Sequence, residues 1–217
     1  IYKKMNPENY TFRIFFNFIL KMKAMKEHEI LIHLAKKHTE LTKDDEEMIQ
    51  RLFVVKNVEK NEILLNTGEV CNHLYFVVNG ILRTFHLNAN GTEFTRLIRK
   101  ENQFCTVLLS FLEKKSSVAT IQALEKGTLL MISSQDFRKL TQESELAQKI
   151  YTKTLEDFEN FHLKRLEFLT SYSPKEKTEI FLKECHDIEP RLTDKVIASY
   201  LQITPETYCR CKKSLES

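Results

Sequence analysis

The spacing of hydrophobic residues along this chain changes from helical to strand-like and back to helical. Roughly residues 26 to 51 have helical periodicity, and Thr42, followed by Lys-Asp-Asp-Glu, predicts a capped helix start. Short apolar runs rich in β-branched and aromatic residues then follow at close intervals, before helical spacing returns in the last part of the chain. This order predicts an α+β protein with a small sheet domain between helices.

The sequence contains four glycines, and all of them lie within one interval of 60 residues, between the β-rich runs. Asn79-Gly80 and Asn90-Gly91 favour tight turns because both residue types tolerate a positive φ. Many short strands joined by regular turns predict a small antiparallel β-roll or barrel. The expected strands are residues 63–65, 74–78, 81–85, 94–98, 118–123 and 128–132.

The segment from Ser134 to Tyr172 contains neither proline nor glycine and is predicted to form one long amphipathic helix. Its first half can lie on the roll, whereas its second half would extend past so small a domain. We expect the apolar stripe to be buried against the same helix of a second copy. The expected dimer interface consists of Tyr151, Leu155, Phe158, His162, Leu166 and Leu169.

The last 25 residues have the pattern of a helix-turn-helix, preceded by a helix that begins at Ser173-Pro174. Thr193 is the expected N-cap of the first helix, whose apolar residues recur up to Leu201. Thr204 can cap the second helix, and Pro205 suits its first position because the missing N–H would be unpaired there. Two helices joined by about three residues must cross at an angle. The alternative is a surface helical hairpin packed on another part of the protein.

The second helix carries its polar side chains on the outward face, where they can reach base edges or phosphates. These are Glu206, Thr207, Arg210 and Lys213. Gln202 stands at the turn position where glycine is usual, which predicts a left-handed backbone at modest cost. Tyr208 is larger than the branched aliphatic residue usual at its position. Packing between the helices is expected from Ala198, Leu201, Ile203, Tyr208 and Cys211.

Composition indicates a folded chain of two domains, with 42% hydrophobic residues and no low-complexity run. The net charge of +3 is no evidence for a nucleic-acid partner, because residues 1–24 alone carry a surplus of four positive charges. Any attraction to DNA must be local, at Arg210, Lys212 and Lys213. We interpret residues 1–24 as an added or over-called extension, with Met22 or Met25 as the start. Its apolar run is too short for a membrane span.

The five cysteines are scattered and include no Cys-x-x-Cys pair, which favours reduced thiols and a cytoplasmic protein. Cys209 and Cys211 are two residues apart on a predicted helix, so they point to different sides and do not suit one metal ion. A cupin-type enzyme would need clustered ligands, and His73, His86 and Glu93 are too scattered. We expect no metal, no cofactor and no enzymatic activity.

With roll, long helix and helix-turn-helix in this order, the chain resembles the Crp/Fnr family of bacterial transcription regulators over about residues 26 to 216. The segment LNTGEVCNHLYFVVNGILR, from Leu65 to Arg83, is similar to the cyclic-nucleotide-binding domain pattern. The segment IASYLQITPET, from Ile197 to Thr207, looks most like the branch found in Bacteroidetes-type bacteria. The resemblance implies a double-stranded β-helix roll, a homodimer and a palindromic double-stranded DNA operator. RNA polymerase is a further candidate partner.

The family motif also implies roles for single residues. By position, base edges would be met by Thr204, Glu206, Thr207 and Arg210, and phosphates would be held by Lys212 and Lys213. Family members often have a basic residue at the position of Pro205 and a β-hairpin wing after the recognition helix, so the wing is expected to be short or absent. The expected organisation is residues 1–24 extension, 25–140 roll, 141–172 dimerisation helix and 173–217 helix-turn-helix.

The resemblance fails at the ligand site of the family. Cyclic-nucleotide sensors hold the cyclic phosphate and ribose with a Gly-Glu pair and a downstream Arg-Ser. Here Val107 replaces the carboxylate and Ser116 replaces the arginine, and the ammonium of Lys114 or Lys115 cannot reproduce a bidentate guanidinium. We therefore expect no response to cyclic AMP, with the roll serving as a filled dimer scaffold or binding an unknown effector. The candidate pocket residues are Cys105, Thr106, Val107, Leu108, Ser116 and Ser117.

Other sensing chemistries also lack their residues. An iron–sulfur cluster needs closely spaced cysteines, and none precedes Cys71. His73 and His86 are expected to be ordinary turn or strand residues rather than haem ligands, and Cys105 an inert buried thiol rather than a redox sensor. A DNA-binding regulator is thus the main interpretation. The alternative is a protein-interaction or small-ligand-binding roll with a vestigial helix-turn-helix.

Overall fold

The computed structural model describes residues 26–37 and 39–216, so the extension expected at residues 1–24 lies outside the described residues. Two helices, α1 (Glu27–Lys36) and α2 (Lys43–Leu52), precede the sheet domain. The hydroxyl of Thr42 accepts a hydrogen bond from the N–H of Asp45 at 3.2 Å, and the Asp45 carboxylate accepts one from the N–H of Thr42 at 3.0 Å. This reciprocal cap confirms the predicted helix start.

The sheet domain is an antiparallel roll of two four-stranded sheets, which confirms the predicted fold class in the described residues. The strand orders are β1-β8-β3-β6 and β2-β7-β4-β5. All six expected strands are present, whereas β1, β6 and the short helix α3 (Leu108–Glu113) were not predicted. The strands are β1 (Val54–Val58), β2 (Ile63–Leu65), β3 (His73–Asn79), β4 (Leu82–Leu87), β5 (Glu93–Arg99), β6 (Phe104–Cys105), β7 (Thr120–Ala123) and β8 (Gly127–Ser133).

Two glycines allow the turns of the roll to approach each other closely. Gly80 has a φ of 108°, a conformation that side-chain-bearing residues rarely adopt. A Cβ on Gly127 would lie 2.4 Å from the carbonyl oxygen of Asn79, so no side chain fits there. Below these turns the two sheets enclose one buried core, formed by Val58, Leu65, Cys71, Tyr75, Val77, Leu82, Cys105, Phe111, Ile121, Ala123 and Leu129.

The single helix expected from Ser134 to Tyr172 is wrong, because the chain forms two helices, α4 (Ser134–Glu143) and α5 (Glu145–Ser171). Ser144 separates them with extended backbone angles, φ −119° and ψ 112°, and its hydroxyl accepts a hydrogen bond from the N–H of Ala147 at 3.1 Å. Serine is a favoured N-cap, and here the cap interrupts a segment that no proline or glycine marks. No helix of the described residues, the 27-residue α5 included, is long and apolar enough to cross a membrane.

The C-terminal part contains α6 (Pro174–Glu184), a 3-10 turn (Glu189–Arg191), α7 (Asp194–Leu201) and α8 (Pro205–Glu216). Thr193 caps α7 as expected, with its hydroxyl 3.4 Å from the N–H of Val196. Ala198 is buried where α7 and α8 cross, so its small side chain allows the two helices to approach. The shared core consists of Phe181, Ile197, Ala198, Leu201 and Tyr208.

The turn between α7 and α8 confirms the left-handed geometry expected at Gln202, which has φ 55° and ψ 46°. The carbonyl of Ala198 accepts hydrogen bonds from the N–H groups of both Gln202 and Ile203, which closes the end of α7. Left-handed backbone is unfavourable for a residue with a Cβ. The exposed side chain of Gln202 therefore sits at a strained position that glycine would relieve.

We expect Gln202→Gly to raise the free energy of unfolding by about 0.5–1 kcal/mol, because glycine removes the left-handed strain but adds some freedom to the unfolded chain. Urea unfolding measures the change. Gln202→Ala is the matched control, since it shortens the side chain but keeps the Cβ and should give no such gain. Equal or lower stability of the glycine variant would contradict the strain.

Candidate nucleic-acid interface and sensor pocket

Helix α8 exposes a polar face that we call the reading face, formed by Thr204, Glu206, Thr207, Arg210 and Lys213. The Thr204 hydroxyl accepts a hydrogen bond from the N–H of Thr207 at 3.2 Å, which caps the helix and leaves Pro205 at the first position. Glu206, Arg210 and Lys213 are exposed, and Thr207 is half-buried. The first turn of α8 and two long cations, Arg210 and Lys213, therefore face outward together.

The inner side of α8 is fixed to the 3-10 turn. Tyr208 is fully buried, and its hydroxyl donates to Glu189 Oε1 at 3.4 Å. Burial, together with the nearby carboxylates of Glu189 and Asp194, raises the pKa of Tyr208 above its usual value. The ammonium of Lys212 also donates to Glu189 Oε1, at 2.6 Å. Lys212, expected to hold phosphate, is thus directed at its own domain, and Lys213 is the lysine on the reading face.

The two C-terminal cysteines lie on different sides of α8, as their spacing predicted. Cys211 is buried in the helix-turn-helix, whereas the half-exposed Cys209 thiol lies 3.4 Å from Asp194 Oδ2. Across the residues that the structure describes, no three His, Cys, Asp or Glu side chains gather as a metal site requires.

Helix α7 docks on β5 of the roll through Ser199. The Ser199 hydroxyl accepts a hydrogen bond from the N–H of Thr95 at 2.9 Å and donates one to the carbonyl of Glu93 at 2.8 Å. Because β5 is the last strand of its sheet, these backbone groups have no neighbouring strand to pair with. The contact joins residues 104 positions apart and could not be foreseen from local patterns.

Arg83, which the sequence analysis missed as a site residue, supports this docking from within the sheet. Its guanidinium forms an ion pair with Glu93 at 2.8 Å and hydrogen bonds with Gln122 at 2.8 Å and Thr95 at 3.3 Å. It also stacks on Phe85, 4.1 Å from the ring centroid. The sequence did contain a signal for this role of Arg83, because alternation along a strand puts Arg83 and Phe85 on the same face of β4.

The long helix α5 packs on its own roll and helix-turn-helix along one side. The guanidinium of Arg165, which is 8% exposed, lies 3.8 Å from the centroid of the Tyr200 ring and donates to the Tyr200 carbonyl. Burial lowers the pKa of Arg165. Nearer the start of α5, Tyr151 packs edge-on against Phe137 of α4, 5.2 Å between ring centroids.

The stripe expected to face a second copy is therefore divided between two environments. Tyr151 is directed at its own subunit, and Leu155, Phe158, His162 and Leu169 are half-buried. Leu166 is 62% exposed, as is its neighbour Leu163, which was not among the expected interface residues. The most exposed apolar surface of α5 thus lies at one edge of the predicted stripe, where Leu166 of the stripe adjoins Leu163.

The candidate pocket residues surround the start and end of α3, and the hydroxyls of Thr106 and Ser117 are hydrogen-bonded within the roll. Thr106 donates its hydroxyl proton to the His73 carbonyl at 3.0 Å, and Ser117 donates to the Ala119 carbonyl at 2.6 Å. Val107 is the N-cap residue of α3 and offers no side-chain cap, Leu108 is half-buried, and Ser116 is exposed. Val107, which we expect at the position of the family's carboxylate, thus puts an apolar side chain at a helix start.

Both lysines that could have held an anion are engaged elsewhere. Lys114 donates to Asn72 at 3.2 Å and to the hydroxyl of Ser134, and Lys115 forms an ion pair with Glu113 at 2.6 Å. Outside the filled core, a cleft of about 280 Å³ opens beside the loop before β3. Its lining comprises Leu64, Leu65, Glu69, Val70, Cys71, Asn72, His73 and Tyr75, with no arginine among them.

Cys105, the thiol of the candidate pocket, is 1% exposed on β6. Burial raises its pKa to about 12, which the nearby Arg99 offsets only in part. Because the thiolate is the reactive form, this environment disfavours oxidation at neutral pH. The geometry agrees with an inert thiol.

Comparison with known proteins places these features in a known architecture. Residues 55–144 match the family of the cyclic nucleotide-binding domain. A protein from Eubacterium rectale assigned to the Crp/Fnr family of transcriptional regulators has a similar structure, with 21% identity, a TM-score of 0.67 and coverage of 81% of this chain and 84% of that one. FixK2 from Bradyrhizobium japonicum is similar at 17% identity, with a TM-score of 0.66, over 76% of this chain and 85% of FixK2.

A mutant of CooA from Carboxydothermus hydrogenoformans is also similar, with 19% identity, a TM-score of 0.64 and coverage of 82% of this chain and 81% of CooA. The comparison with curated proteins gave no match. Residues 55–144 are therefore similar to a cyclic nucleotide-binding domain, and the chain has the fold of these Crp/Fnr regulator structures. Roll, long helix and helix-turn-helix follow one another as the sequence predicted.

We expect isothermal titration with cyclic AMP to give no dissociation constant in the micromolar range or tighter. The segment from Phe104 to Ser117 contains no arginine, and Thr106, Ser117, Lys114 and Lys115 already have partners within the protein. A cyclic-AMP-binding domain titrated in the same buffer serves as the positive control. Saturable binding at micromolar or lower concentration would overturn this expectation.

Proposed function

We propose that this chain is a homodimeric, sequence-specific DNA-binding transcription regulator of Crp/Fnr type that does not respond to cyclic AMP. The observation that carries the proposal is the exposed reading face of α8, on a helix-turn-helix that is docked to a cyclic nucleotide-binding-like roll. A vestigial motif would have no reason to keep a capped helix with Tyr208 and Cys211 buried on one side and polar residues exposed on the other. The fold and the face together support recognition of DNA.

The reading face supplies contacts of two kinds in this proposal. Thr204, Glu206, Thr207 and Arg210 meet base edges in the major groove, where Arg210 suits the two acceptors of guanine and Glu206 the amino group of cytosine. Lys213 holds a phosphate. Lys212, whose ammonium is bound to Glu189, orients α8 rather than touching DNA.

The proposed dimer forms along the exposed side of α5. Leu163 and Leu166 lie at its centre, and Leu155, His162 and Leu169 border it. Two paired copies would present two reading faces about 34 Å apart, one turn of the double helix, to the half-sites of a palindrome. The expected stripe is thereby kept in part and rotated toward the face that the subunit itself leaves uncovered.

Selection from randomised oligonucleotides tests the function directly. A regulator enriches one palindromic motif. As the salt concentration is raised, its affinity for that motif should fall gradually, whereas binding to an unrelated duplex should be lost completely. A scaffold with a vestigial helix-turn-helix would enrich no motif. That outcome would end the proposal in favour of an interaction module.

Arg210→Ala should weaken binding to the enriched site by about 1–3 kcal/mol and relax the preference at one base pair, because a bidentate contact with guanine is lost. Fluorescence anisotropy on the enriched site and on single-base variants measures both effects. Arg51→Ala is the matched control, since it removes the same charge from an exposed position on α2. Operator affinity equal to that of the control would show that Arg210 does not read a base.

The double variant Leu163→Lys/Leu166→Lys should dissociate the dimer, because each buried leucine contributes about 1.5–3 kcal/mol and a symmetric interface contains every residue twice. We expect the dimer to weaken by roughly 100-fold or more in sedimentation equilibrium. Val54→Lys, at an exposed apolar position of β1, is the control for added charge. An unchanged dimer would place the interface elsewhere.

A further inference from the structure

The 3-10 turn from Glu189 to Arg191 touches the recognition helix through its first residue. Glu189 Oε1 accepts hydrogen bonds from the ammonium of Lys212 at 2.6 Å and from the hydroxyl of Tyr208 at 3.4 Å. The Glu189 side chain is only 18% exposed, so both contacts are largely shielded from water. The carboxylate of Glu189 thus forms hydrogen bonds with two successive turns of α8.

The last residue of the same turn touches the roll. Arg191 donates from Nη1 and Nη2 to the two carboxylate oxygens of Glu101, at 3.1 and 2.7 Å. It also donates from Nε to Glu125 Oε2 at 3.4 Å and from Nη2 to the other Glu125 oxygen. Such a two-sided, bidentate arrangement defines direction as well as distance, which a lysine could not do.

The partners of Arg191 are themselves held in place. Glu101 accepts a hydrogen bond from the N–H of Gly80 at 2.9 Å, at the turn where the chain passes closest to Gly127. Burial disfavours the charge of Glu101, but the hydrogen bonds from Arg191 and Gly80 outweigh it and keep the pKa of this carboxyl below its usual value. Glu101 is therefore a fixed, charged acceptor for Arg191, and Glu125 completes an acidic pair around the guanidinium.

Only Pro190 separates Glu189, which contacts α8, from Arg191, which contacts the roll. The proline ring fixes the backbone angle φ between them. We propose that Glu189 and Arg191 are positioning residues, which transmit the orientation of the roll to the recognition helix and so set its fit to an operator. This inference rests on the proposed DNA-binding function and adds to it the residues that align the reading face. Neither residue needs to touch DNA for this role.

A neighbouring ion pair shows what distinguishes this turn. Lys100 of the roll pairs with Asp187, which also joins the two domains. In the contacts of the described residues, Asp187 has no bond to α8, so this pair can hold the domains together without directing the recognition helix. Asp187→Asn is therefore the matched control for docking alone.

A change of charge distinguishes electrostatics from positioning, because the two explanations predict opposite changes in affinity for the operator. Replacing Glu101 and Glu125 by glutamine removes two negative charges, which by electrostatics alone should strengthen binding to any DNA. If these residues act by positioning α8, the same change should weaken binding to the operator. The glutamines have nearly the same shape, so folding should be preserved.

The experiment measures anisotropy of the full chain on its enriched operator and on a scrambled duplex of equal length. We expect Glu101→Gln/Glu125→Gln to weaken operator binding about tenfold while scrambled binding is unchanged or tighter. Glu189→Gln and Arg191→Lys should give similar losses, and combining Glu189→Gln with Glu101→Gln/Glu125→Gln should add little, because all interrupt one path. Asp187→Asn should stay within about twofold of wild type.

Operator affinity of Glu101→Gln/Glu125→Gln equal to or above wild type would overturn the inference, as would an equal loss in Asp187→Asn. Amide hydrogen exchange supplies a readout that does not depend on DNA. The roll variant should speed exchange in α8, where it has no substitution, and unchanged exchange there would also count against the path. If wild type preferred no operator, the proposed function would fail, while the exchange result would still decide whether the turn holds α8.

Discussion

Helix α7 packs against two surfaces at once, the edge strand β5 and helix α5. The position of the recognition helix depends on these two contacts. On one side Ser199 binds the backbone of the edge strand β5, and on the other Tyr200 covers the buried guanidinium of Arg165 from α5. Arg165 Nε and Nη1 have no hydrogen-bond partner among the described residues, so stacking on Tyr200 and the bond to its carbonyl must offset the cost of burial. Because α7 and α8 share one core, fixing α7 also fixes the reading face.

The docking contacts make the roll a structural support for the helix-turn-helix. The interior between its sheets is filled by side chains. What the roll offers instead is a stiff support, with β5 behind α7 and the acidic pair Glu101 and Glu125 beside the 3-10 turn. In the proposed role, these contacts make the roll the part that aligns the helix-turn-helix.

Local patterns in the sequence predicted most elements, since caps, turns and periodicity are properties of neighbouring residues. The Thr42 and Thr193 caps, the glycine turns and the strained Gln202 all followed from such patterns. The break at Ser144 did not, because a serine cap inside an unbroken apolar period gives no distinct signal. The two-residue β6 exists only through its pairing with β3.

For the candidate site too, the sequence predicted what depends on neighbouring residues and not what depends on distant ones. Exposure of Glu206, Arg210 and Lys213 followed from helical periodicity, whereas the direction of Lys212 depends on Glu189, 23 positions away. The contacts of Arg191 reach back 66 and 90 positions, and nothing in Glu-Pro-Arg indicates an acidic partner. Contacts between distant segments therefore decide which of the predicted polar residues remain available for DNA.

We propose that two copies of this chain present their reading faces to successive major grooves of one DNA site. Hydroxyl-radical and guanine-methylation footprinting of an enriched site tests this most directly. We predict two protected windows on one side of the duplex, related by a dyad and centred about 34 Å apart, with protected guanines inside each. A single window, or uniform protection without a dyad, would contradict it.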